Sequence, residues 1–445
     1  MRRPTIVKFL IVIAWIALGG WFLLSPSIWT TEAASDGRGY ELPFSEELAE
    51  LGDRIFDDQN LSIGRNQACN TCHASAWGFT GPDPNINLHG AVYPGSIPGR
   101  FGDRRPPSSA YSTISPVFHF SRKAGGQFVG GNFWDGRATG ERLGNPASEQ
   151  AQGPFLNPVE QGLRDSACVV YRVAHSQDYG VLYRELWGND IDTIVYPADI
   201  DTLCEAEGPR FNIDAVNREK IEQQYDNIAI SIAVYEESHN LYSSKFDAWR
   251  KGQAKFTAEE RQGFALFQGK ANCASCHTTV GQQPGFTGQT FENLGVPANP
   301  DNPIYTSNPN FVDIGLAGFL ATRDEWQEHV LASRGKMRVP TLRNVDLRPY
   351  PTATKAYMHN GVFKSLEEVV HFYNTRDLLP YCEAASPRSD WGVTCWPAPE
   401  VPENMNVKLI GNLGLTTAEE AALVAFLKTL SDGFLPEPGS GKFAR

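Results

Sequence analysis

The spacing of apolar residues along the chain predicts four helices and few strands. Residues 44–56 and 257–267 carry apolar side chains at helical intervals, and so do the longest such stretch, 213–246, and the late stretch 417–430. Polar capping residues mark three of the helix starts: Ser45, the pair Thr257 and Glu260, and the pair Thr417 and Glu420. The predicted fold class is therefore mainly α.

A long segment with little periodicity lies between the first two helical stretches. Residues 74–132 are rich in glycine, proline, serine and asparagine, a composition typical of loops. Loops of this length are usually functional, and we expect these to wrap around a cofactor that supplies the core they lack. The end of the stretch 213–246 predicts a domain boundary near Lys251.

Two Cys-x-x-Cys-His motifs stand on either side of that boundary. They consist of Cys69, Cys72 and His73, and of Cys273, Cys276 and His277. This pattern attaches haem c, because the two thiols form thioether bonds to the porphyrin and the histidine binds the iron. A zinc ribbon needs its cysteine pairs about 15 to 20 residues apart, whereas these pairs lie roughly 200 residues apart. The sequence therefore predicts two covalently bound haem c groups, with His73 and His277 as iron ligands.

Each motif directly follows a predicted helix, and this is the arrangement of a cytochrome c. We therefore interpret the chain as two cytochrome c-like haem domains related by an internal repeat, with long loops packed on the haems. The predicted domains are 35–251 and 252–445, after an N-terminal segment at 1–34.

The N-terminal segment has the features of an export signal. Arg2 and Arg3 precede an apolar run at 9–24, and Pro26 and small residues follow it. The run is slightly shorter than the ~20 residues of a spanning helix. Two interpretations stay open, a cleaved signal peptide or an uncleaved anchor in the inner membrane. Both place the body of the protein in the periplasm.

Four cysteines remain outside the motifs, which suits an oxidising compartment. They are Cys168, Cys204, Cys382 and Cys395. Three pairings are possible, and free buried thiols are the alternative. Pairing neighbours in sequence closes the shortest loops, so we expect bonds from Cys168 to Cys204 and from Cys382 to Cys395.

The net charge of the chain excludes one class of partner. At −12, the chain offers no basic stripe with which to neutralise the phosphates of a nucleic acid. A redox partner with a basic face is compatible with this charge.

Four further blocks resemble the bacterial di-haem cytochrome c peroxidase family, which includes the MauG enzymes. The blocks are 133–138 (FWDGRA), 150–160 (QAQGPFLNPVE), 339–345 (VPTLRNV) and 357–368 (YMHNGVFKSLEE). Together with both haem motifs they occur in the family order and cover nearly all of residues 45–435. The resemblance is to the family and not to one member.

For the first haem, the resemblance implies a site for hydrogen peroxide. It assigns Glu160 as the acid and base that assists O–O cleavage, Gln150 as a hydrogen-bonding neighbour, and Pro154 as packing over the pocket. His89 lies 16 residues after His73, where standard family peroxidases carry a histidine that closes the oxidised first haem. MauG-like members lack this closure, and a surface position for His89 is the alternative.

For the second haem, one iron ligand distinguishes the two branches of the family that the chain resembles. Standard peroxidases carry a methionine 14 residues after the histidine of the fourth block, His359, and that position here is Tyr373. MauG-like enzymes use tyrosine there, and a phenolate lowers the iron potential whereas a thioether raises it. Met358 is the competing ligand. The resemblance also places Trp134 between the haems, as an electron relay.

A calcium ion between the domains is typical of the family, bound by backbone carbonyls and an asparagine. Thr354 and Ala356 occupy the carbonyl positions, but Arg105 stands where the asparagine is expected. Arginine has no acceptor atom, which leaves this calcium site incomplete.

The resulting hypothesis is a di-haem peroxidase. It reacts with H₂O₂ at the first haem and passes oxidising equivalents through the second haem to a protein. In a MauG-like enzyme that protein is a modified substrate, and in a standard peroxidase it is a small cytochrome c or cupredoxin. A non-catalytic di-haem electron carrier is the alternative from another class.

Overall fold

Helices dominate residues 42–436, the part of the chain that this computed structural model describes. Their bounds are α1 Glu46–Phe56, α2 Pro84–Leu88, α3 Pro146–Leu156, α4 Ser166–Ala174, α5 Gly180–Trp187, α6 Ile200–Leu203, α7 Ala215–Ser238, α8 Lys245–Arg250, α9 Ala258–Gln268, α10 Ile304–Ser307, α11 Leu316–Leu320, α12 Val330–Ser333, α13 Leu366–Thr375 and α14 Thr417–Lys428. The predicted caps Ser45 and Thr257 begin α1 and α9. The mainly α class is confirmed.

Strands are few and short in the described residues. β1 His119–Ser121 pairs antiparallel with β2 Gln127–Val129, and β3 Phe291–Glu292 pairs antiparallel with β4 Met337–Arg338. The second pair joins the segment after the second haem motif to the segment that carries Arg338.

Two pairs of helices cross at glycine residues. Helix α1 crosses α7 at Gly52, where an added Cβ would lie 2.0 Å from the Ser231 carbonyl oxygen. Helix α9 crosses α14 at Gly263, where an added Cβ would lie 1.9 Å from the Ala422 carbonyl oxygen. Only a residue without a side chain permits such an approach. The helix before each haem motif is thereby fixed against a longer helix.

Each haem motif lies beside its own hydrophobic core. The first motif begins with a short 3-10 turn, Cys69–Thr71, next to a core built from α1, α3, α4 and α7. The second begins with the turn Cys273–Ser275, next to an aromatic core that contains Phe267, Phe286 and Phe426. These cores hold the motif turns in place.

The stretch 213–246, predicted as one helical pattern, is two helices. Helix α7 ends at Ser238, and Asn240 then turns its side chain to the Tyr111 amide at 2.8 Å and the Thr113 hydroxyl at 2.8 Å. A new cap at Ser244 begins α8. The tertiary hydrogen bonds of Asn240 therefore outweigh the local apolar spacing.

The C-terminal helix begins one residue earlier than predicted, because its cap is Thr416 and not Thr417. Thr416 forms the capping box with Glu419, which also accepts from Lys270 Nζ at 2.7 Å. The predicted partner, Glu420, instead accepts from the Asn374 side chain at 2.6 Å. Two overlapping Thr-x-x-Glu patterns compete here, and tertiary contacts select the first.

Both predicted disulfides are present. Cys168 bonds to Cys204 and Cys382 bonds to Cys395, whereas the four motif cysteines are free thiols. Within residues 42–436, no helix is long and apolar enough to cross a membrane. The predicted export segment at 1–34 lies outside the described residues.

Candidate functional site

One cavity brings the first haem motif together with the residues predicted to face peroxide. It is lined by Cys69, Cys72 and His73 from the motif, by Gln150 and Pro154 from α3, and by Glu160 from the loop after α3. Residues far apart in sequence therefore converge on one site.

The two motif histidines have the same orientation. His73 Nδ1 lies 3.0 Å from the Phe79 carbonyl oxygen, and His277 Nδ1 lies 2.9 Å from the Phe286 carbonyl oxygen. Donation from Nδ1 leaves the Nε2 lone pair free, as an iron ligand requires. Burial lowers the pKa of His73 and lowers that of His277 to about 4, so both rings are neutral.

Glu160 is half-buried and has one close side-chain donor. The Asn157 side-chain nitrogen donates to Glu160 Oε2 at 2.9 Å. Burial raises the pKa of Glu160, while this hydrogen bond and the charge of Arg137 lower it. A carboxyl whose pKa lies above its ordinary value is suited to exchange protons near neutral pH.

A second buried carboxyl lines the first cavity, and the sequence interpretation missed it. Glu236, in the last turn of α7, is 3% exposed and accepts from the Ser112 hydroxyl at 2.7 Å. Burial raises its pKa to about 8. The helical spacing gave a signal, because Glu236 follows the buried Ile228 and Ile232 at intervals of four residues.

A larger cavity contains the second motif and both candidate iron ligands for the second haem. Tyr373 on α13 and Met358 line it together with His277. Burial raises the pKa of the Tyr373 phenol, as do the nearby thiols Cys273 and Cys276. Both candidates thus lie in the cavity with His277. The position of the two side chains does not select one of them, so the choice depends on the different properties of a phenolate and a thioether.

Trp134 lines the larger cavity and forms a hydrogen bond to the segment that contacts the first motif. Its indole nitrogen donates to the Arg105 carbonyl oxygen at 2.9 Å, and its ring meets the His359 ring edge-to-face at 6.5 Å. Two residues after Arg105, the Pro107 carbonyl lies close enough to His73 to raise the pKa of its ring. A short stretch of backbone therefore links the indole to His73.

Buried polar atoms without protein partners, within the described residues, cluster at both cavities. They include Arg338 Nε and His359 Nε2 at the larger cavity, and Gln67 Oε1 and Gln161 Oε1 at the first. Arg338 makes one side-chain hydrogen bond, to Gln289 at 2.6 Å, and burial lowers its pKa to about 10. Haem carries two carboxylates, and an unpaired buried guanidinium suits such a group.

The same two cavities therefore fit haem c. Each contains a pair of free thiols, a neutral histidine with Nε2 available, and polar atoms that lack partners. Neither Arg338 nor His359 was predicted as part of a site, because their spacing in sequence gives no sign of their proximity to a cavity.

His89 lies apart from the first cavity. Its side chain is exposed, and Nδ1 lies 2.8 Å from the Asn85 carbonyl oxygen of the preceding helical turn. It is not among the residues that line the cavity around His73. The structure does not bring this predicted ligand to the iron site.

Comparisons with known proteins identify the family of the chain. The family model of di-haem cytochrome c peroxidase matches residues 46–255. The methylamine utilization protein MauG of Paracoccus denitrificans is 32% identical over 419 residues, which cover 92% of this chain and 93% of MauG. Cytochrome c551 peroxidase of Nitrosomonas europaea is 27% identical over 329 residues, which cover 74% of this chain and 73% of that protein.

A solved structure has a similar fold. The diheme peroxidase BthA from Burkholderia thailandensis superposes with a TM-score of 0.69 at 28% identity, over 91% of this chain and 92% of BthA. The named relatives are peroxidases or MauG, so the chain is a peroxidase-like oxidoreductase. Members of this family carry two haem c groups, which agrees with the two motifs and cavities. The chain belongs to the di-haem cytochrome c peroxidase and MauG family.

Proposed function

We propose that this enzyme reacts with hydrogen peroxide at the His73 site and oxidises a protein through the His277 site, as a MauG-like peroxidase. The observation that carries the proposal is the first cavity, where Glu160 and Gln150 face the same space as His73. Peroxide cleavage needs a proton acceptor and donor beside the metal, and Glu160 is a carboxyl in that position.

Glu160 moves the proton. Its carboxylate takes a proton from the near oxygen of H₂O₂ and returns it to the oxygen that leaves as water. Asn157 holds Oε2 by a 2.9 Å hydrogen bond, so the other oxygen, Oε1, is free to face the peroxide. Gln150 supplies an amide on the same cavity wall that orients the substrate.

Haem c, when bound, supplies the iron that accepts peroxide and the ring that stores oxidising equivalents. Cys69 and Cys72 would attach the first haem, and Cys273 and Cys276 would attach the second. The Nε2 atoms of His73 and His277 would bind the two irons, held by their Nδ1 hydrogen bonds.

Trp134 carries electrons between the two sites in this proposal. Support comes from its position on the second cavity and from its hydrogen bond to the Arg105 carbonyl, two residues before the Pro107 carbonyl at His73. An indole buried to 6% exposure is shielded from water, which protects an oxidised ring from side reactions.

Tyr373 is the proposed second ligand of the second iron, and this choice favours the MauG-like branch. A phenolate lowers the iron potential, so oxidising equivalents are held more stably there than with a thioether. The 32% identity to MauG over most of the chain supports the same branch.

A redox titration tests this ligand. We expect Tyr373→Met to raise the potential of the second haem by on the order of 100 mV. Met358→Leu, which removes the competing thioether, is the matched control and leaves that potential near its wild-type value. If Tyr373→Met leaves the potential unmoved, or if Met358→Leu lowers it strongly, Tyr373 is not the ligand.

Rapid mixing with peroxide tests the role of Glu160. We expect Glu160→Gln to slow the reaction of H₂O₂ with the oxidised protein by about 100-fold or more, because glutamine cannot accept the proton. Glu328→Gln is the control, since that side chain is 82% exposed on the surface. Equal reaction rates for wild type and Glu160→Gln would show that Glu160 does not transfer the proton.

The proposed organisation is two cytochrome c-like halves related by an internal repeat, divided near Lys251. The glycine crossings at Gly52 and Gly263, each on the helix before a haem motif, support a common ancestry of the halves. We also propose export to the periplasm, where haem c is attached and where the two disulfides are stable. The N-terminal segment would act as a signal or as an inner-membrane anchor.

The oxidised partner is a protein in this proposal. It is either a substrate protein that the enzyme modifies or a small cytochrome c or cupredoxin that donates electrons. A standard peroxidase that removes H₂O₂ is the second candidate. The redox titration of Tyr373→Met distinguishes it from a MauG-like enzyme, because a standard peroxidase does not use Tyr373 as a ligand. A non-catalytic electron carrier is the third, and it predicts no reaction with peroxide for wild type or Glu160→Gln.

A further inference from the structure

A buried lysine joins the two halves of the chain. Lys355 is 3% exposed, and its Nζ donates to the carbonyl oxygens of Trp77 at 2.7 Å, Leu347 at 2.9 Å and Asn344 at 3.3 Å. Trp77 follows the first haem motif, whereas the other two acceptors follow the second. An ammonium group has three N–H donors, and all three are used here.

These acceptors are of the kind that calcium binds. Calcium takes oxygen ligands, including backbone carbonyls, and the family resemblance places an ion at the carbonyls of Thr354 and Ala356, directly beside Lys355. Yet Thr354 oxygen already accepts from the Asn87 side chain at 3.0 Å. Arg105, at the expected asparagine position, directs its Nε to the Met358 carbonyl at 3.0 Å. The residues present do not fit calcium.

Local charge also opposes a divalent cation. Two positive charges, those of Arg105 and Arg348, act on Lys355. Within residues 42–436, Asp346 is the one negative charge found to act on it. Arg348 is itself paired with Asp346. A calcium ion would therefore enter a region that already carries excess positive charge. No group of three or more His, Cys, Asp or Glu side chains able to hold a metal occurs in this described part of the chain.

The contacts of Lys355 favour its protonated form. Burial, followed by the charges of Arg105 and Arg348, lowers the pKa of this lysine. A neutral amine has two N–H donors and would direct its lone pair at the third carbonyl oxygen. Three carbonyl partners therefore hold the ammonium form, much as they would hold a metal cation.

A second lysine repeats the arrangement nearby. Lys364 Nζ donates to the carbonyl oxygens of His89 at 2.6 Å, Gly361 at 2.7 Å and Asn87 at 2.8 Å. Asn87 links the two lysine sites, because its side chain donates to Thr354 and its carbonyl accepts from Lys364. Each of the two ammonium groups thus donates hydrogen bonds to backbone carbonyls on both sides of residue 251.

We propose that the ammonium groups of Lys355 and Lys364 join the two halves in place of a calcium ion, so that the enzyme neither binds nor needs calcium. This inference is independent of the peroxide chemistry, because its tests measure metal content and unfolding.

Metal analysis of the full-length holoprotein is the first test. After passage through a calcium-free column, we expect far less than one calcium per chain, and no shift of the thermal unfolding midpoint on adding EGTA or CaCl₂. About one tightly held calcium per chain would overturn the proposal. A midpoint that falls in EGTA and recovers in CaCl₂ would overturn it as well.

Lys355→Met is the second test, because it keeps the length of the side chain and removes its donors. We expect the unfolding midpoint to fall by about 5 °C or more, since three carbonyl oxygens each lose a charged donor; those of Trp77 and Asn344 keep a second donor, from Thr80 and Leu347. Lys428→Met is the matched control, an exposed lysine with one carboxylate at 3.2 Å, and should shift the midpoint little. An unchanged midpoint in Lys355→Met would contradict the proposal. If that variant does not fold, Lys364→Met and the metal analysis carry the test.

Discussion

At the scale of single residues, the first cavity is lined by two carboxyls with different surroundings, the half-buried Glu160 and the buried Glu236. Glu160 has one amide donor and lies near Arg137, whereas Glu236 has one hydroxyl donor, Ser112. Burial raises the pKa of both groups. Glu160 therefore suits proton exchange with a substrate, and Glu236 suits storage of a proton inside the protein.

The raised pKa of Glu236 predicts how stability depends on pH. Its pKa is raised from 4.5 to about 8, so the folded protein keeps a proton that the unfolded chain releases between these values. This contribution to stability is complete below about pH 4.5 and is lost as the pH rises through 8. Within that window, the free energy of unfolding should fall by about 1.4 kcal/mol per pH unit from this group.

Denaturant unfolding of Glu236→Gln at pH 5.5 and at pH 7.5 measures this effect. The variant should lose less stability than wild type between the two conditions, because glutamine does not titrate. Glu328→Gln, on the surface, should follow wild type. The same pH dependence in Glu236→Gln and in wild type would show that Glu236 is not the titrating group.

The sequence predicts the residues of the site unevenly. The thiols and histidines of the motifs can be predicted from the sequence, because covalent haem attachment requires a fixed spacing between them. Gln150 and Glu160 needed the family resemblance, and the structure places them with His73. Arg338, His359 and Lys355 were missed, because long-range folding alone decides which cavities and carbonyls they meet.

At the scale of helices, the local signals were reliable where nothing competed with them. The caps Ser45 and Thr257 begin helices as predicted. The cap of α14 at Thr416 and the end of α7 at Ser238 differ from the prediction, because Lys270, Asn374 and Asn240 add tertiary hydrogen bonds. The close crossings of α1 with α7 and of α9 with α14 could not be read from periodicity.

The crossing at Gly52 makes a prediction about helix packing. Gly52→Ala places a Cβ 2.0 Å from the Ser231 carbonyl oxygen, so α1 must move away from α7. We expect a loss of about 1–3 kcal/mol in the free energy of unfolding. Gly318→Ala is the control, because its Cβ would meet its nearest neighbour at an ordinary 3.6 Å. Equal stabilities for the two variants, measured in denaturant, would contradict the crossing.

At the scale of the whole molecule, the proposed electron relay depends on how the Trp134 indole is held. Arg105 receives its indole hydrogen bond, and the backbone then continues to Pro107 and His73. We expect Trp134→Phe to keep a buried ring but lose this hydrogen bond and the easily oxidised indole. The second haem should then respond to peroxide later than the first.

Whether both haems respond together to one equivalent of peroxide is the most direct test of the account. Stopped-flow spectroscopy of the oxidised wild-type protein can follow the absorption bands of the two haems separately. We expect both bands to change in one phase with a single equivalent of H₂O₂, and we expect Trp134→Phe to separate the two changes. A change confined to one haem in wild type, or no change at all, would contradict it.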